Sequence, residues 1–242
     1  MSEKLVSGYN VDKLKEYEED YFKFVKEVRG IDLTYYGNWQ KDFAKLIIEM
    51  AELESNVGKS WRSILDVGCA TALNLRAIDE LGIFSKLYGT DISSYMINAI
   101  IPTLHDFGSY ADFFATPAWD LSMIGDIDID LIICTHVFEH LPNENAVHKS
   151  LEEFKRVLHP EGKILIIVPT KTSTYDPSES PVHEINEGSI WWNKTFNKHF
   201  KSESSLARKK FKASKLKPNR NHENTFYEQY SEFWTVFRLI HK

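Results

Sequence analysis

Three sets of residues have types and spacings that suit chemistry. The first is Asp66-Val67-Gly68-Cys69-Ala70-Thr71-Ala72, which closes an apolar run and precedes a helix-like stretch. Small residues there let a ligand lie against the backbone. The first turn of the helix then offers N–H groups to a carboxylate or phosphate. The second is Gly89-Thr90-Asp91, with Asp91 25 residues after Asp66. An ionised carboxylate accepts hydrogen bonds, so an acid at a strand end suits both hydroxyls of a ribose. Together these residues point to an adenosine-type ligand at the carboxyl edge of a sheet. The third set holds His136, Glu139 and His140 in H-V-F-E-H, with His183 farther on in P-V-H-E-I-N-E. A neutral imidazole can take a proton from a hydroxyl or amine.

These residues need a scaffold, and the hydrophobic pattern supplies one. Apolar runs at 63–70, 86–93, 111–116, 128–136 and 163–170 read as strands, with helix-like stretches between them. Continuous apolar strands alternating with helices predict a parallel sheet covered on both faces. The chain end, EFWTVFRLIHK, alternates like a last strand, and a further strand is expected near KFKASKLK. SIWWNKTFNKHF reads as a helix, and residues 171–189 as a polar loop. Upstream, residues 10–28 and 38–56 have helical spacing, the second with Phe43, Leu46, Ile47, Met50 and Leu53 on one face. The expected division is a helical lid or appendage over 1–58 and a ligand-binding domain over 59–242.

The 242 residues suit one α/β domain with a short appendage, and 26% charged against 43% hydrophobic residues is a globular composition. No apolar run is long enough to span a bilayer, and the start lacks the apolar stretch of a signal peptide. Cys69 and Cys134 sit in strand-like runs, so a disulfide is not expected and a cytoplasmic setting is. The net charge of −6 argues against general nucleic-acid affinity, yet residues 194–220 carry +9 and the remainder −15. That segment is either a solvated connection or a basic surface for an anionic substrate.

The motifs resemble those of class I S-adenosylmethionine-dependent methyltransferases. LDVGCATA resembles the family's D-x-G-x-G-x-G motif, YGTDIS its ribose-binding acidic motif, DLIICTHVFEHLP its fourth-strand motif and FKRVLHPEGKILIIVP its entry into strand five. The resemblance covers about residues 60–170. It implies a Rossmann-like α/β fold: a seven-stranded, mostly parallel sheet with an antiparallel last strand, plus an N-terminal helical lid. It also implies S-adenosyl-L-methionine as cofactor and S-adenosyl-L-homocysteine as product. By position, Gly68, Cys69 and Ala70 face the methionine part, Asp66 orients its amino group, Asp91 holds the ribose and Ile92 packs on the adenine. Thr135 and His136 lie near the sulfonium. Thr116 and Pro117, or Asp120, stand where the family carries its adenine-side acid, and Trp119 either flanks the adenine or fills core. Trp39, in Tyr35-Tyr36-Gly37-Asn38-Trp39-Gln40, belongs to a lid over the cofactor or to core packing.

Two family glycines are Ala70 and Ala72 here, tolerable at negative φ and costly at positive φ. The alternative reading of Asp91 is a helix N-cap. H-V-F-E-H also matches the H-x-x-E-H of some zinc proteases, a reading the strand-end context rejects. Small-RNA 2′-hydroxyl methyltransferases carry a similar E-x-x-E-H segment and a later histidine that bind a divalent metal, so a metal is considered but not favoured. The expected catalytic residues are His136, His140 and His183, acting as base or substrate-positioning groups. The expected activity is methyl transfer to a small hydroxylated or anionic metabolite, such as a sugar or sugar-linked intermediate. The rivals are an RNA 2′-O-methyltransferase with metal-assisted chemistry and a cofactor-binding, non-catalytic scaffold. An NAD-dependent oxidoreductase is least favoured, because Gly68, Ala70 and Leu73 depart from G-x-G-x-x-G. Oligomeric state is not legible in the sequence.

Overall fold

The structure, a computed structural model, describes Glu19 and residues 34–53, 62–171, 183–214 and 234–242. The expected helix over 10–28, except Glu19, and residues 172–182 of the expected polar loop lie outside the described residues.

Five strands run in parallel: β1 (Ser63–Val67), β2 (Lys86–Asp91), β3 (Ala111–Ala115), β4 (Ile129–Thr135) and β5 (Leu158–Pro169). β6 (Lys201–Ser202) and β7 (Trp234–Ile240) close the far edge, with β7 antiparallel to both β5 and β6. The sheet order is 3-2-1-4-5-7-6. Chain direction places the ends of β1, β2 and β4 side by side, with the order reversing at β1, where ligands of open α/β sheets bind. The strands are apolar because both faces are covered. β1 is buried throughout and β4 at all but its last residue.

On one face lie α1 (Asn38–Ala51), α2 (Leu73–Asp79) and α6 (Ser204–Ala213). On the other lie α4 (Glu144–Val157) and α5 (Ser189–His199). A π-helical turn at Met96–Ile100 continues into the short α3 (Ile101–Leu104) after β2. The strand expected near KFKASKLK is instead the end of α6 as far as Ala213. Its Leu206, Ala207, Lys210 and Phe211 recur at helical spacing, and Ala207 and Phe211 pack on the core.

The described part of the N-terminal region is built into the domain. Phe43, Leu46, Ile47 and Met50 of α1 are buried with Ile64, Leu131 and Leu165 of the sheet. Two lysines meet the carbonyl end of α1: Lys163 Nζ donates to the Ala51 carbonyl (2.7 Å) and Lys210 Nζ to that of Glu49 (2.6 Å). Cations there satisfy orphan carbonyls and oppose the helix dipole. Glu52, just beyond, pairs with the buried Arg238 of β7, which also reaches Glu203 at 3.0 Å. Among the described residues no helix is long and apolar enough to cross a membrane. Cys69 and Cys134 are both buried free thiols, and burial pushes each well above its ordinary pKa.

Candidate functional site

A cavity of about 210 Å³ opens at the carboxyl ends of β1, β2 and β4. Gly68, Ala70, Asp91, Ile92, Thr116, Pro117, His136 and His140 line it, as do Met96, Trp119 and Val137.

The loop after β1 is tightly held. The N–H groups of Gly68 and Cys69 both donate to the Thr90 carbonyl, at 2.7 and 2.9 Å. The Ala70 N–H donates to Asp91 Oδ2 at 2.9 Å. The His105 ring meets the Thr71 carbonyl at 2.9 Å. These bonds hold three left-handed residues in one short loop: Gly68 (φ 73°), Ala70 (φ 47°) and Ala72 (φ 58°). So both alanines fall in the costly conformation, each carrying strain of roughly 1–2 kcal/mol. Such strain persists where surrounding contacts over-determine the backbone. Gly68 is constrained twice. A Cβ there would stand 2.2 Å from Val137 Cγ2, besides the positive φ.

Asp91 is not the helix cap. Ser93 Oγ accepts the Met96 N–H at 3.2 Å and so caps the turn that follows. The Asp91 carboxylate instead accepts the Ser93 N–H at Oδ1 (2.9 Å) and the Ala70 N–H at Oδ2. This acceptor-only group, when ionised, thus forms part of the cavity wall.

Asp66 lies beneath the loop, 1% exposed, and neither of its oxygens accepts a hydrogen bond among the described residues. Burial pushes its carboxyl well above the usual range, and the charge of Asp91 adds to the shift. A polar group left so is costly unless something pairs with it.

Thr116 is buried. Its N–H donates to the Asp91 carbonyl (2.8 Å) and its hydroxyl to the Asp120 carbonyl (2.8 Å). Asp120 is exposed, takes the Ser122 N–H and does not line the cavity. Trp119 does line it, 8% exposed, and also packs in the core.

The histidines sit on a short connection from β4 to α4. His136 is left-handed (φ 58°), and its N–H donates to the Ile167 carbonyl at 2.9 Å. A 3-10 turn follows over Phe138–His140, anchored by Phe138 against Phe154, Trp192 and Phe196. Asn143 then caps α4 by accepting the Ala146 N–H. This geometry turns His136 Nδ1 onto Glu139 Oε1 at 3.1 Å, with His140 Nε2 at 4.0 Å from the same oxygen. Glu139 is 1% exposed. Burial alone would push its carboxyl up, but the His136 hydrogen bond and the charges of His136 and His140 outweigh that and hold it below the usual range. The loop after β5 comes to the same place. The N–H groups of Glu184 and Ile185 both donate to the Glu139 carbonyl, and the His183 ring packs edge-on to His140 at 4.9 Å.

Five expected residues stand elsewhere than on the cavity wall. Asp66 lies under the floor, Cys69 turns its buried Sγ toward Gly89, Thr135 ends β4 outside the lining, and His183 stands behind His140. Trp39 stacks on Phe43 (5.0 Å) and packs on the α1 core, so among the described contacts it is a core residue rather than a lid. Sequence reasoning missed Met96 and Val137. No spacing marks Met96, and Val137 shows itself only by its contact with Gly68.

The fold is shared with solved methyltransferases. Residues 65–166, the stretch that builds the cavity, match the family model described as a methyltransferase domain. One curated relative, "Ubiquinone biosynthesis O-methyltransferase" of Azoarcus sp. (strain BH72), is 26% identical over 97 residues, which is 40% of this chain and 41% of that one. The chain thus spans about two fifths of the length of that relative. Among solved structures, the N-methyltransferase NodS of Bradyrhizobium japonicum superposes with a TM-score of 0.58 at 11% identity, covering 84% of this chain and 96% of that one. A Pyrococcus horikoshii protein gives 0.56 at 17% identity, covering 90% and 99%. At such identities the likeness speaks for the fold alone.

Proposed function

We propose that this protein transfers a methyl group from S-adenosylmethionine to a hydroxyl of a small metabolite. The observation that carries the reading is the pair of acids at one sheet edge. Asp91 is clasped by two N–H groups at the cavity wall, and Asp66, buried beneath the adjoining loop, has no hydrogen-bond partner among the described residues. The residues fit an adenosyl amino acid. Asp91 suits two ribose hydroxyls, Asp66 an ammonium, and Ile92, Met96, Pro117 and Trp119 an apolar adenine slot.

The cofactor, when bound, supplies an already activated methyl group. What the chain adds is alignment, exclusion of water and proton handling. Gly68 and Ala70 bring backbone close to the ligand, and Val137 and Leu141 keep that wall dry. We assign His136 and His140 to positioning the acceptor and taking its proton, since both line the same cavity. The hydroxyl acceptor is favoured by these histidines and by the name of the Azoarcus relative.

The test is calorimetric titration with S-adenosylhomocysteine on wild type and Asp91→Ala. It is followed by transfer of labelled methyl to a panel of sugars, phenols and their phosphates. Saturable binding lost in the variant, with methylation of a hydroxyl member, is expected. No binding by the folded wild type refutes the reading.

A further inference from the structure

We propose that Glu139, His140 and His183 form a binding site for a zinc-class divalent transition metal at the edge of the cavity. One ligand atom from each of the three lies within 4.8 Å of the others. A tetrahedral zinc site sets its ligand atoms about 3.4 Å apart, given metal–ligand bonds near 2.1 Å. Small turns of two half-buried rings close that gap.

Three observations carry the assignment. First, Glu139 Oε2 is buried and accepts no hydrogen bond among the described residues, although the side chain is only 1% exposed. A buried carboxylate oxygen in that position is costly unless a cation or donor meets it. Second, the backbone itself brings the ligands together. Two successive N–H groups, of Glu184 and Ile185, donate to the Glu139 carbonyl at 2.9 and 3.1 Å, which fixes the residue before them, His183, beside His140. Third, an outer partner is in place, because the His136 ring meets the other carboxylate oxygen, Oε1, at 3.1 Å. Outer hydrogen bonds of this kind orient metal-ligating carboxylates.

The donor set selects the ion. Two imidazoles and one carboxylate suit zinc, cobalt or iron, whereas magnesium prefers oxygen donors and retains its waters. Three protein ligands leave at least one coordination position, and His140 lines the cavity, so that position is within reach of an acceptor oxygen. A hydroxyl bound there would be polarised by the metal and held in the cavity. This last role rests on the methyl-transfer reading; the binding of the metal does not.

The test uses the whole chain, freed of metal by dialysis against a chelator and titrated with Co²⁺ while its visible absorption is followed. Zn²⁺ and Mg²⁺ then serve as competitors. One Co²⁺ per chain, with ligand-field bands displaced by Zn²⁺ but not by equimolar Mg²⁺, is expected. His183→Ala and Glu139→Gln, each checked for wild-type circular dichroism, should weaken binding by more than about 100-fold, the upper end of what losing an outer partner costs. Asp91→Ala should bind Co²⁺ as wild type does while losing S-adenosylhomocysteine. No ligand-field band in wild type, or a wild-type band in His183→Ala, overturns the site. Loss of S-adenosylhomocysteine binding in wild type with the Co²⁺ band intact would instead count only against methyl transfer.

Discussion

Asp91 Oδ2 accepts the N–H of Ala70 at 2.9 Å, so the acid that ends β2 holds the loop that leaves β1. The clasp keeps Ala70 at φ 47° and helps keep Ala72 at φ 58°, where a side chain is strained. Ala70→Gly should therefore stabilise the protein by about 1 kcal/mol, relief of strain exceeding the added unfolded-state entropy, and Ala72→Gly by less, because it also removes a buried methyl. Urea unfolding measures this, and a loss of stability in both variants would contradict the strained loop.

Gly68 is different, because space as well as φ excludes a side chain there. Gly68→Ala puts a methyl 2.2 Å from Val137 Cγ2. It should destabilise by about 1–3 kcal/mol and abolish S-adenosylhomocysteine binding. In Gly68→Ala/Val137→Ala, part of the lost stability should return. If the double variant is no more stable than the single one, the contact is not the cause.

The Asp66 carboxyl is raised well above its ordinary value by burial and then by Asp91. A group raised on folding contributes stability below its unfolded pKa, near 3.9, and loses that contribution as pH rises through the folded value. Asp66→Asn should thus melt higher than wild type at neutral and alkaline pH, with the gap closing toward pH 4. An ammonium beside Asp66 favours the ionised form, so wild-type affinity for S-adenosylhomocysteine should rise with pH over the same window. Proton release measured by calorimetry in two buffers checks this, and pH-independent affinity would remove Asp66 from that role.

Arg238 reports on how firmly α1 belongs to the domain. Its hydrogen bond with Glu52 holds that carboxyl below the usual range, against the opposing effect of burial. A lowered carboxyl contributes stability above its unfolded pKa, near 4.3, and loses it as pH falls through the folded value. Glu52→Gln should lower the melting temperature at pH 7, and the difference should shrink as pH falls below the unfolded pKa and vanish below the folded one. A constant difference across that range would show that Glu52 acts through packing instead.

The legible parts of this protein were those with short-range causes. Asp66, Gly68 and Asp91 could be placed at strand ends because apolar runs and small residues mark where buried strands stop. The alternatives for Asp91 could not be separated in the sequence, since an acid before Ser93-Ser94 fits both a cap and a ligand. Only the Ser93 Oγ–Met96 N–H bond decides it. The basic stretch KFKASKLK misled strand reasoning because its apolar residues are sparse, and the core that fixes the helical spacing of its described part comes from α1 and β7.

The amino-acid sequence by itself determined the parallel α/β sheet and the two acids at its edge, because hydrophobic periodicity and strand-end residues act over a few positions; the antiparallel sense of the last strand followed only from the family resemblance. Tertiary structure alone decided the sign of φ at Ala70 and Ala72, the fit of Val137 over Gly68 and the incorporation of α1 into the core. It also decided the meeting of His183 with Glu139 and His140 across more than 40 residues of chain. Those relations depend on where separate elements pack and on which carbonyl a distant N–H finds, and no local pattern encodes either.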